Sequence, residues 1–519
     1  MDSRSTDSRY DYVIVGAGSA GCILANKLSA DPRTRVLLLE AGPRDRSKEI
    51  RIPAAFSKLF KSKFDWDHET VPQEALGGRR IYVPRGKTLG GSSAMNAQMH
   101  IPGHPADFDP WPEGWDWQTM RPYLDAFEEE SCSVAEPRDP NPMTRAFVES
   151  ADASGVARPS DLRPESLAGA GITRVHQRKG LRCTAADAWL KPARDRDNLT
   201  VLTDAQVLGI EFEGKRAVGV RHTQGHAAVG GELILSAGAI GSPHLLLAAG
   251  VGPAGELAEH GIEAVHDLPD VGRNLRDHPM AIMLWEASGK DSMFAAEKPG
   301  QLVKLLLQRR GMLTSNVGEA AAFLRSRDGL PAPDIELLFA PVLYLDEGLT
   351  KPDQHGFSTG VVCLRPRSVG SLTLRSADPG DKPAIDYALL TDADDLRVLM
   401  EGVARMRAIA ATPPLSEIVE RERAPAGEDV ESWIRANVQT VYHPVGTCSL
   451  GKVVDDQLRV RGLEGVRVVD GSVIPDLMRG HPHAQISMLA LRAADLITGR
   501  PPASSSDGTP RSARLSQRA

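Results

Sequence analysis

The chain has 519 residues, of which 41% are hydrophobic and 25% charged, and its net charge is −7 at pH 7. This length exceeds one ordinary core and predicts two or more structural units. The charge shows no basic excess that would indicate nucleic acid or an anionic membrane surface as a partner. No apolar run reaches the roughly 18–20 residues of a membrane-spanning helix.

The cysteine pattern and the two ends of the chain indicate a compartment. Five scattered cysteines, none in a C-x-x-C pair, argue against a disulfide framework or a metal site and favour reduced thiols. Residues 1–9 are polar and contain no apolar core of a signal peptide. We therefore expect a cytoplasmic protein. The Ser-, Pro- and Arg-rich segment 501–519 predicts a disordered tail.

The first pattern in chain order is a strand, a glycine-rich turn and a helix. The strand DYVIV runs into GAGSAG at 16–21, a helical run follows, and a second strand ends at Glu40. This is the G-x-G-x-x-G fingerprint, which places a pyrophosphate at a helix N-terminus. Glu40 suits the ribose hydroxyls and disfavours NADP, but the pattern does not separate NAD from FAD. The expected contact residues are Gly16, Gly18, Ser19, Ala20, Gly21, Glu40 and Ala41.

A second glycine- and serine-rich segment, PRGKTLGGSSAMN, occupies residues 84–96. Its backbone N–H groups are closely approachable, which suits a phosphate or a flat ring. Composition alone favours an ordinary loop. Whether the segment is an ordinary loop or binds a phosphate or ring is indicated by the other motifs along the chain.

The remaining patterns predict a discontinuous cofactor domain. Residues 110–160 contain proline and tryptophan and are expected to be loop-rich. Residues 290–425 combine a predicted helix at 302–309 with strand-like runs such as DIELLFA and GSLTLRS. Strand-and-helix patterns return at 232–252 and at 466–497. An α/β cofactor domain interrupted by a second domain produces this order.

Five segments in a fixed order resemble the glucose-methanol-choline (GMC) oxidoreductase family, in particular its choline-dehydrogenase-like members. They are residues 84–96, 236–252, 271–279, 442–448 and 466–475. The resemblance implies an α/β fold with a discontinuous Rossmann-like FAD-binding domain and a second, substrate domain built on an antiparallel sheet with helices. It assigns 9–280 to the FAD-binding region, 281–430 mainly to the substrate domain, and 431–500 to a segment that returns to the FAD domain.

The resemblance also implies the cofactor, which is FAD rather than NAD. The segment from Arg85 to Met99 would line the pyrophosphate and the flavin ring, and Val207 would contact the adenine side through its backbone. Some members attach FAD to a histidine after the Gly-Gly-Ser sequence; here Ala94 and Met95 follow, so we expect non-covalent FAD. The cofactor residues implied beyond the first motif are Arg85, Gly86, Leu89, Gly90, Gly91, Ser92, Asn96, Ala97, Gln98, Met99, Val207, Asp470, Gly471, His481 and His483.

Two histidines match the catalytic positions of the family. His443, in YHPVGT, is expected to be the base that takes the hydroxyl proton, because histidine suits proton transfer near neutrality. By register, His483 is expected to be its partner, which orients the substrate oxygen. His481 is expected to contact the flavin edge or only its loop. His278 is expected to fix loop geometry.

The implied reaction is the FAD-dependent oxidation of an alcohol, with hydride transfer to the flavin and oxygen or a quinone-type carrier as the electron acceptor. An alternative is a non-redox member that keeps FAD, of the hydroxynitrile lyase or fatty-acid photodecarboxylase type. Departures from the family pattern at His100, Pro102 and Ala249 leave the shape of the substrate side open. The sequence identifies neither the alcohol nor the oligomeric state, and no aromatic cage for choline is legible.

Overall fold

The structure, a computed structural model, describes residues 9–289 and 291–503. Most of the tail predicted at 501–519 lies outside the described residues. The strands in chain order are β1 Tyr10–Val15, β2 Val36–Leu39, β3 His68–Glu69, β4 Tyr82–Val83, β5 Met99–His100, β6 Val134–Ala135, β7 Gly169–Ile172, β8 Arg174–Arg178, β9 Leu181–Arg182, β10 Leu199–Leu202, β11 Val207–Glu213, β12 Arg216–His222, β13 Gly225–Leu235, β14 Val251–Gly252, β15 His266–Asp267, β16 Pro279–Ala287, β17 Ala320–Leu324, β18 Ile335–Ala340, β19 Gly356–Cys363, β20 Ser371–Thr373, β21 Ala384–Asp386, β22 Val419–Ala424, β23 Gln439–Thr440 and β24 Val466–Val468.

The α-helices complete the described elements, together with short 3₁₀ turns and one π-helical turn at Ala186–Leu190. They are α1 Ser19–Leu28, α2 Lys48–Arg51, α3 Trp117–Ser131, α4 Pro142–Ala153, α5 Lys191–Ala193, α6 Gly238–Ala248, α7 Ala254–Glu259, α8 Pro299–Gln308, α9 Ala393–Ala410, α10 Val430–Asn437 and α11 His483–Thr498. Within the described residues, none of these helices is both long and apolar enough to cross a bilayer.

The first sheet has the strand order β10-β2-β1-β13-β12-β11. β10, β2, β1 and β13 are parallel, and their inner parts at 13–15, 36–39 and 233–235 are apolar and buried, as expected for strands covered on both faces. β13 is long enough to pair antiparallel with β12 at its start and parallel with β24 at its end. The C-terminal part of the chain therefore returns to the N-terminal sheet, and α11 packs against α1.

The second sheet is antiparallel, in the order β22-β16-β19-β18-β17-β7, with β23 also paired to β16. Stacked rings of Trp285 and Phe357 lie opposite each other on β16 and β19, and α9 packs on β19 and β18. The edge strand β7 comes from residues that the sequence assigned to the FAD-binding region. This sheet thus draws on both parts of the chain.

The prediction that residues 110–160 are loop-rich was wrong, because α3 and α4 occupy most of this segment. Asp116 caps α3 by accepting a hydrogen bond from the backbone N–H of Thr119 at 3.0 Å. Asn141 caps α4, and Pro142 stands at its first position, where proline is tolerated. The prolines and tryptophans that suggested a loop mark helix starts and buried contacts. By contrast, the helix predicted at 302–309 is confirmed as α8.

Candidate active site

The first glycine motif forms a tight turn between β1 and α1. Gly16 has φ +98°, and a Cβ there would lie 2.5 Å from the carbonyl oxygen of Ser236. At Gly21 a Cβ would collide with the carbonyl oxygen of Gly16, so this glycine lets helix and strand pack closely. At Gly18 a Cβ would meet no protein atom within 4 Å. The open space at Gly18 lies beside the first turn of α1, whose N–H groups are free to bind an anion.

The second glycine-rich segment touches the first. The backbone N–H of Gly90 donates to the carbonyl oxygen of Ala17 at 2.8 Å. A Cβ on Gly91 would lie 2.7 Å from the Cα of Gly18. The two segments therefore form one continuous backbone cradle, which settles the doubt that composition alone left at 84–96.

Glu40 closes the first motif at the end of β2. Its Oε2 accepts from the backbone N–H of Ala17 and its Oε1 from that of Gly42, each at 2.9 Å. Burial raises the pKa of this carboxyl to about 7. Glu40 also lines the cavity described next, where a carboxyl suits the ribose hydroxyls.

A cavity of about 400 Å³ runs along both glycine segments to the histidines near the C-terminus. Among the residues predicted from sequence, those that line it are Gly16, Gly18, Ser19, Ala20, Glu40, Ala41, Arg85, Gly86, Gly91, Ser92, Asn96, Ala97, Gln98, Met99, Val207, Asp470, Gly471, His443, His481 and His483. Gly21, Leu89 and Gly90 instead lie behind the wall, where they support its backbone. The cradle fits FAD, because open backbone positions and a helix N-terminus meet along one groove.

The side chain of Asp470 also holds two segments of the chain together. Oδ2 accepts from the N–H of Gly238 at 2.8 Å and from the hydroxyl of Ser242. Oδ1 accepts from the N–H and the hydroxyl of Ser472, at 2.8 and 2.6 Å. The carboxylate therefore joins the start of α6 to the turn after β24, and Asp470 and Gly471 both line the cavity.

The half-buried His443 is paired with the buried His278, and the backbone of both is fixed by Asp277. One oxygen of Asp277 accepts from the backbone N–H groups of both histidines at 2.8 Å. His278 Nε2 lies 3.0 Å from the carbonyl oxygen of Met478, and the Nδ1 atoms of the two histidines are 3.0 Å apart. These contacts determine which ring nitrogens carry hydrogen.

A carbonyl oxygen only accepts, so His278 Nε2 must donate to Met478. Burial lowers the pKa of His278 to about 3, so the ring is neutral and its Nδ1 is an acceptor. His443 Nδ1–H therefore donates to it. Burial, followed by the nearby His481, His278 and Arg85, lowers the pKa of His443 well below its ordinary 6.5. The neutral His443 ring consequently presents Nε2 as an unprotonated nitrogen.

The structure places the ring of His481 beside His443, whereas the partner expected from the sequence was His483. The ring of His481 packs against His443 with centroids 4.7 Å apart, and its Nε2 donates to Glu336 at 3.1 Å. His483 is the first residue of α11, and its Nδ1 is 2.8 Å from the hydroxyl of Ser19 on α1. The helix start turns His483 toward the glycine turn, whereas His481 precedes the helix and faces His443.

A further histidine cluster, behind His483, was missed. The rings of His176 and His483 have centroids 4.6 Å apart, and His176 Nε2 lies 3.3 Å from His100 Nδ1. His100 Nε2 in turn lies 2.8 Å from Glu128. Burial lowers the pKa of His483 to about 4. The departure from the family pattern at His100 was the only signal of this cluster in the sequence.

One wall of the cavity is apolar, and it was also not foreseen. Phe56 and Tyr344 are stacked with ring centroids 6.3 Å apart, and Phe60 meets the ring of Tyr442 edge-on at 6.1 Å. Val317 joins these rings in one cluster that faces the cavity. The residues come from distant segments, so no local pattern could have indicated them.

Comparisons with known proteins agree with this architecture. Sequence models described as GMC oxidoreductase match residues 10–280 and 366–490. A GMC-type oxidoreductase of Mycobacterium tuberculosis (strain ATCC 25618 / H37Rv), described as uncharacterized, is 44% identical over 95% of this chain and 99% of its own length. An alcohol dehydrogenase (acceptor) of Pseudomonas putida is 38% identical over 94% and 95% of the two chains. The crystal structure of pyridoxine 4-oxidase from "Mesorbium loti" superposes with a TM-score of 0.83 at 30% identity, covering 95% of this chain and 100% of its own.

The fold and the cradle define an FAD-binding oxidoreductase. The chain belongs to the GMC oxidoreductase family, which confirms the resemblance on which the sequence analysis relied. FAD as the cofactor and the mixed α/β architecture are confirmed with it.

Proposed function

We propose that this enzyme oxidises an alcohol at its CH–OH carbon, with His443 as the base and His481 as the partner that binds the substrate oxygen. The proposal rests on the 3.0 Å contact between the Nδ1 atoms of His443 and His278, from which we infer a neutral His443 with an unprotonated Nε2. A neutral imidazole in a buried cavity is a competent acceptor for a hydroxyl proton.

The residues around the cavity divide the work. FAD, when bound non-covalently in the cradle, supplies the hydride acceptor at its N5 position. His443 Nε2 takes the hydroxyl proton, and the positive charge that forms on its ring is shared with His278 through their hydrogen bond. His481 is held by Glu336 through Nε2, which leaves its Nδ1 to contact the substrate hydroxyl beside the base.

The apolar wall indicates the kind of alcohol. Phe56, Phe60, Val317 and Tyr344 line the cavity. Such a wall binds hydrocarbon or aryl groups through burial and ring contacts. We therefore propose a primary alcohol with an aliphatic or aromatic body as the substrate, and oxygen or a quinone-type carrier as the electron acceptor.

A cytoplasmic location belongs to the same proposal. It rests on the cysteines, because all five have free thiols and four of them are buried.

The test uses the purified holoenzyme under anaerobic conditions. Benzyl alcohol, a medium-chain primary alkanol and choline are added in turn, and the visible flavin bands are recorded; dithionite serves as the control that the flavin is reducible. We expect benzyl alcohol or the alkanol to bleach the bands. Bleaching by dithionite but by no alcohol would contradict the proposal and favour a non-redox member of the family. The return of colour in air then separates an oxidase from a dehydrogenase.

A further inference from the structure

Helix α8 carries an apolar face that is turned outward. Leu302, Val303, Leu306 and Leu307 are 46%, 53%, 60% and 79% exposed, and their spacing places them side by side on one face of the helix. Leu305 is the residue of this helix that is buried against the protein. The helix is thus attached by a narrow contact and presents most of its apolar surface to the surroundings.

This face is unusual within the molecule. Of the eight large apolar side chains that are exposed in the described residues, five lie between Phe294 and Leu307. Scattered exposed apolar residues need no explanation, but a contiguous group of this kind marks an interaction surface. We call Phe294 and the four exposed residues of α8 the apolar patch.

A basic rim borders the apolar patch. Lys298 precedes α8, Arg309 and Arg310 follow it, and all three are exposed. Arg310 donates to the carbonyl oxygen of Arg138 at 3.4 Å, which brings the exposed Arg138 to the same end of the helix. Positive charges beside an apolar face complement anionic lipid headgroups beside acyl chains.

Two acidic residues in this region, Glu297 and Asp139, are engaged with lysines outside the rim. Glu297 pairs with Lys58 at 3.1 Å and with Lys351 at 2.9 Å, and Asp139 lies 3.9 Å from Lys304. These pairs leave the rim locally positive although the whole chain has a net charge of −7. The net charge of the whole chain argued against an anionic membrane surface as a partner. It does not reveal a local group of basic side chains that come together only in the folded chain.

We propose that the apolar patch and its basic rim dock this protein on the surface of an anionic lipid bilayer, with α8 lying in the plane of the interface. The apolar side chains enter the boundary between headgroups and acyl chains, and the basic rim contacts the headgroups. No part of the chain crosses the bilayer in this arrangement.

The apolar patch is close to the cavity. Met293, immediately before the patch, packs in the same buried cluster as Phe56 and Val317, which line the cavity. The bilayer would therefore lie on the side of the protein where the apolar wall is built. The proposal itself concerns binding to lipid and stands or falls independently of the reaction.

The experiment is co-sedimentation of the full-length holoenzyme with vesicles of phosphatidylcholine alone and of equal parts phosphatidylcholine and phosphatidylglycerol. The test variant is Leu306→Glu/Leu307→Glu. The matched control is Val369→Glu/Met400→Glu, which changes two exposed apolar residues elsewhere. Arg138→Glu/Arg310→Glu tests the rim. Retained flavin bands show that each variant is folded, and Leu307→Glu alone replaces the double variant if that one does not fold.

We expect the wild type and the control to sediment with the anionic vesicles and only weakly with the neutral ones. The apolar variant and the rim variant should each bind the anionic vesicles at least about tenfold more weakly than the wild type. A wild type that stays in solution, or an apolar variant that binds like the wild type, would overturn the proposal. A wild-type dimer that becomes monomeric in the apolar variant would overturn it as well, in favour of a second copy as the occupant.

Discussion

The imidazole ring of His481 packs against that of His443 with ring centroids 4.7 Å apart. His481 is turned by its hydrogen bond to Glu336, and His443 by its hydrogen bond to His278. Two independently anchored rings thus meet at one end of the FAD cavity. We propose that a substrate hydroxyl binds between them.

Substitution of His481 should mainly slow flavin reduction, whereas substitution of His483 should mainly weaken FAD retention. In His481→Ala the partner for the substrate oxygen is lost, and alcohol-driven flavin reduction should slow by about 100-fold while FAD stays bound. In His483→Ala the lost contact is with Ser19 at the glycine turn, so FAD retention should fall more than the reduction rate of the remaining holoenzyme. Anaerobic stopped-flow absorbance measures the rates, and flavin content per chain measures retention. The reverse pattern would restore His483 as the partner.

Gly18→Val should abolish FAD retention without unfolding the chain. A Cβ at position 18 meets no protein atom within 4 Å, and the backbone φ of −78° is one that valine adopts without strain. The valine side chain would therefore project into the cradle where the pyrophosphate is expected to bind. Gly255→Val on the surface of α7, also without a neighbour within 4 Å, is the matched control. Circular dichroism should show both variants folded, while only the control carries flavin bands. A normal flavin spectrum in Gly18→Val would mean that the nucleotide site is misplaced.

Flavin reduction by the alcohol should not titrate with the ordinary histidine pKa. Burial lowers the pKa of His443 well below 6.5, so the neutral, proton-accepting form persists as the pH falls through that value. The reduction rate should stay level from about pH 8 to about pH 6 and decline only at lower pH. A rate that is already halved at pH 6.5 or above would show that His443 is not the depressed base described here.

His278 should act as a positioning residue through His443. His278→Phe removes the nitrogen that accepts from His443 Nδ1–H, so the ring of His443 loses its fixed tautomer and the reduction rate should fall by roughly tenfold or more. His278→Gln keeps an acceptor and should recover part of the rate. The acid limb of the pH profile should shift in the Phe variant but not in a merely destabilised one. Equal rates in wild type and His278→Phe would sink this role.

Much of the FAD cradle was predictable because its signals are local. The turn at Gly16 and the acid at Glu40 follow from backbone geometry and strand ends within one β-α-β unit. The segment at 84–96 needed the order of the other motifs, since its own composition fits any loop. Gly90 and Gly91 are needed there because they contact Ala17 and Gly18 of the first motif. A contact between two distant segments is not visible in either local sequence.

The histidine register could not be read from sequence because it depends on where α11 begins. His481 and His483 are two residues apart, yet one precedes the helix and the other is its first residue, so their side chains leave in different directions. Helix boundaries are the least certain part of a sequence-based assignment. Helix boundaries were also missed at 110–160. There the prolines suggested loops, but Asp116 and Asn141 cap the starts of two helices.

The apolar wall and the outward face of α8 depended on tertiary packing. Phe56 and Tyr344 come from segments almost 300 residues apart in chain order and meet only in the fold. The helical spacing of leucines in α8 predicted the helix correctly, but such spacing usually marks a buried face. Here the face points away from the core, and only the exposed areas reveal it.

Anaerobic flavin reduction by the preferred alcohol is measured in wild type and His443→Ala, with His260→Ala as a control outside the cavity. We predict that His443→Ala keeps its flavin bands yet is bleached at least about 100-fold more slowly than the wild type, while His260→Ala matches the wild type. A His443→Ala enzyme that is bleached at the wild-type rate would contradict the central claim that His443 takes the substrate proton.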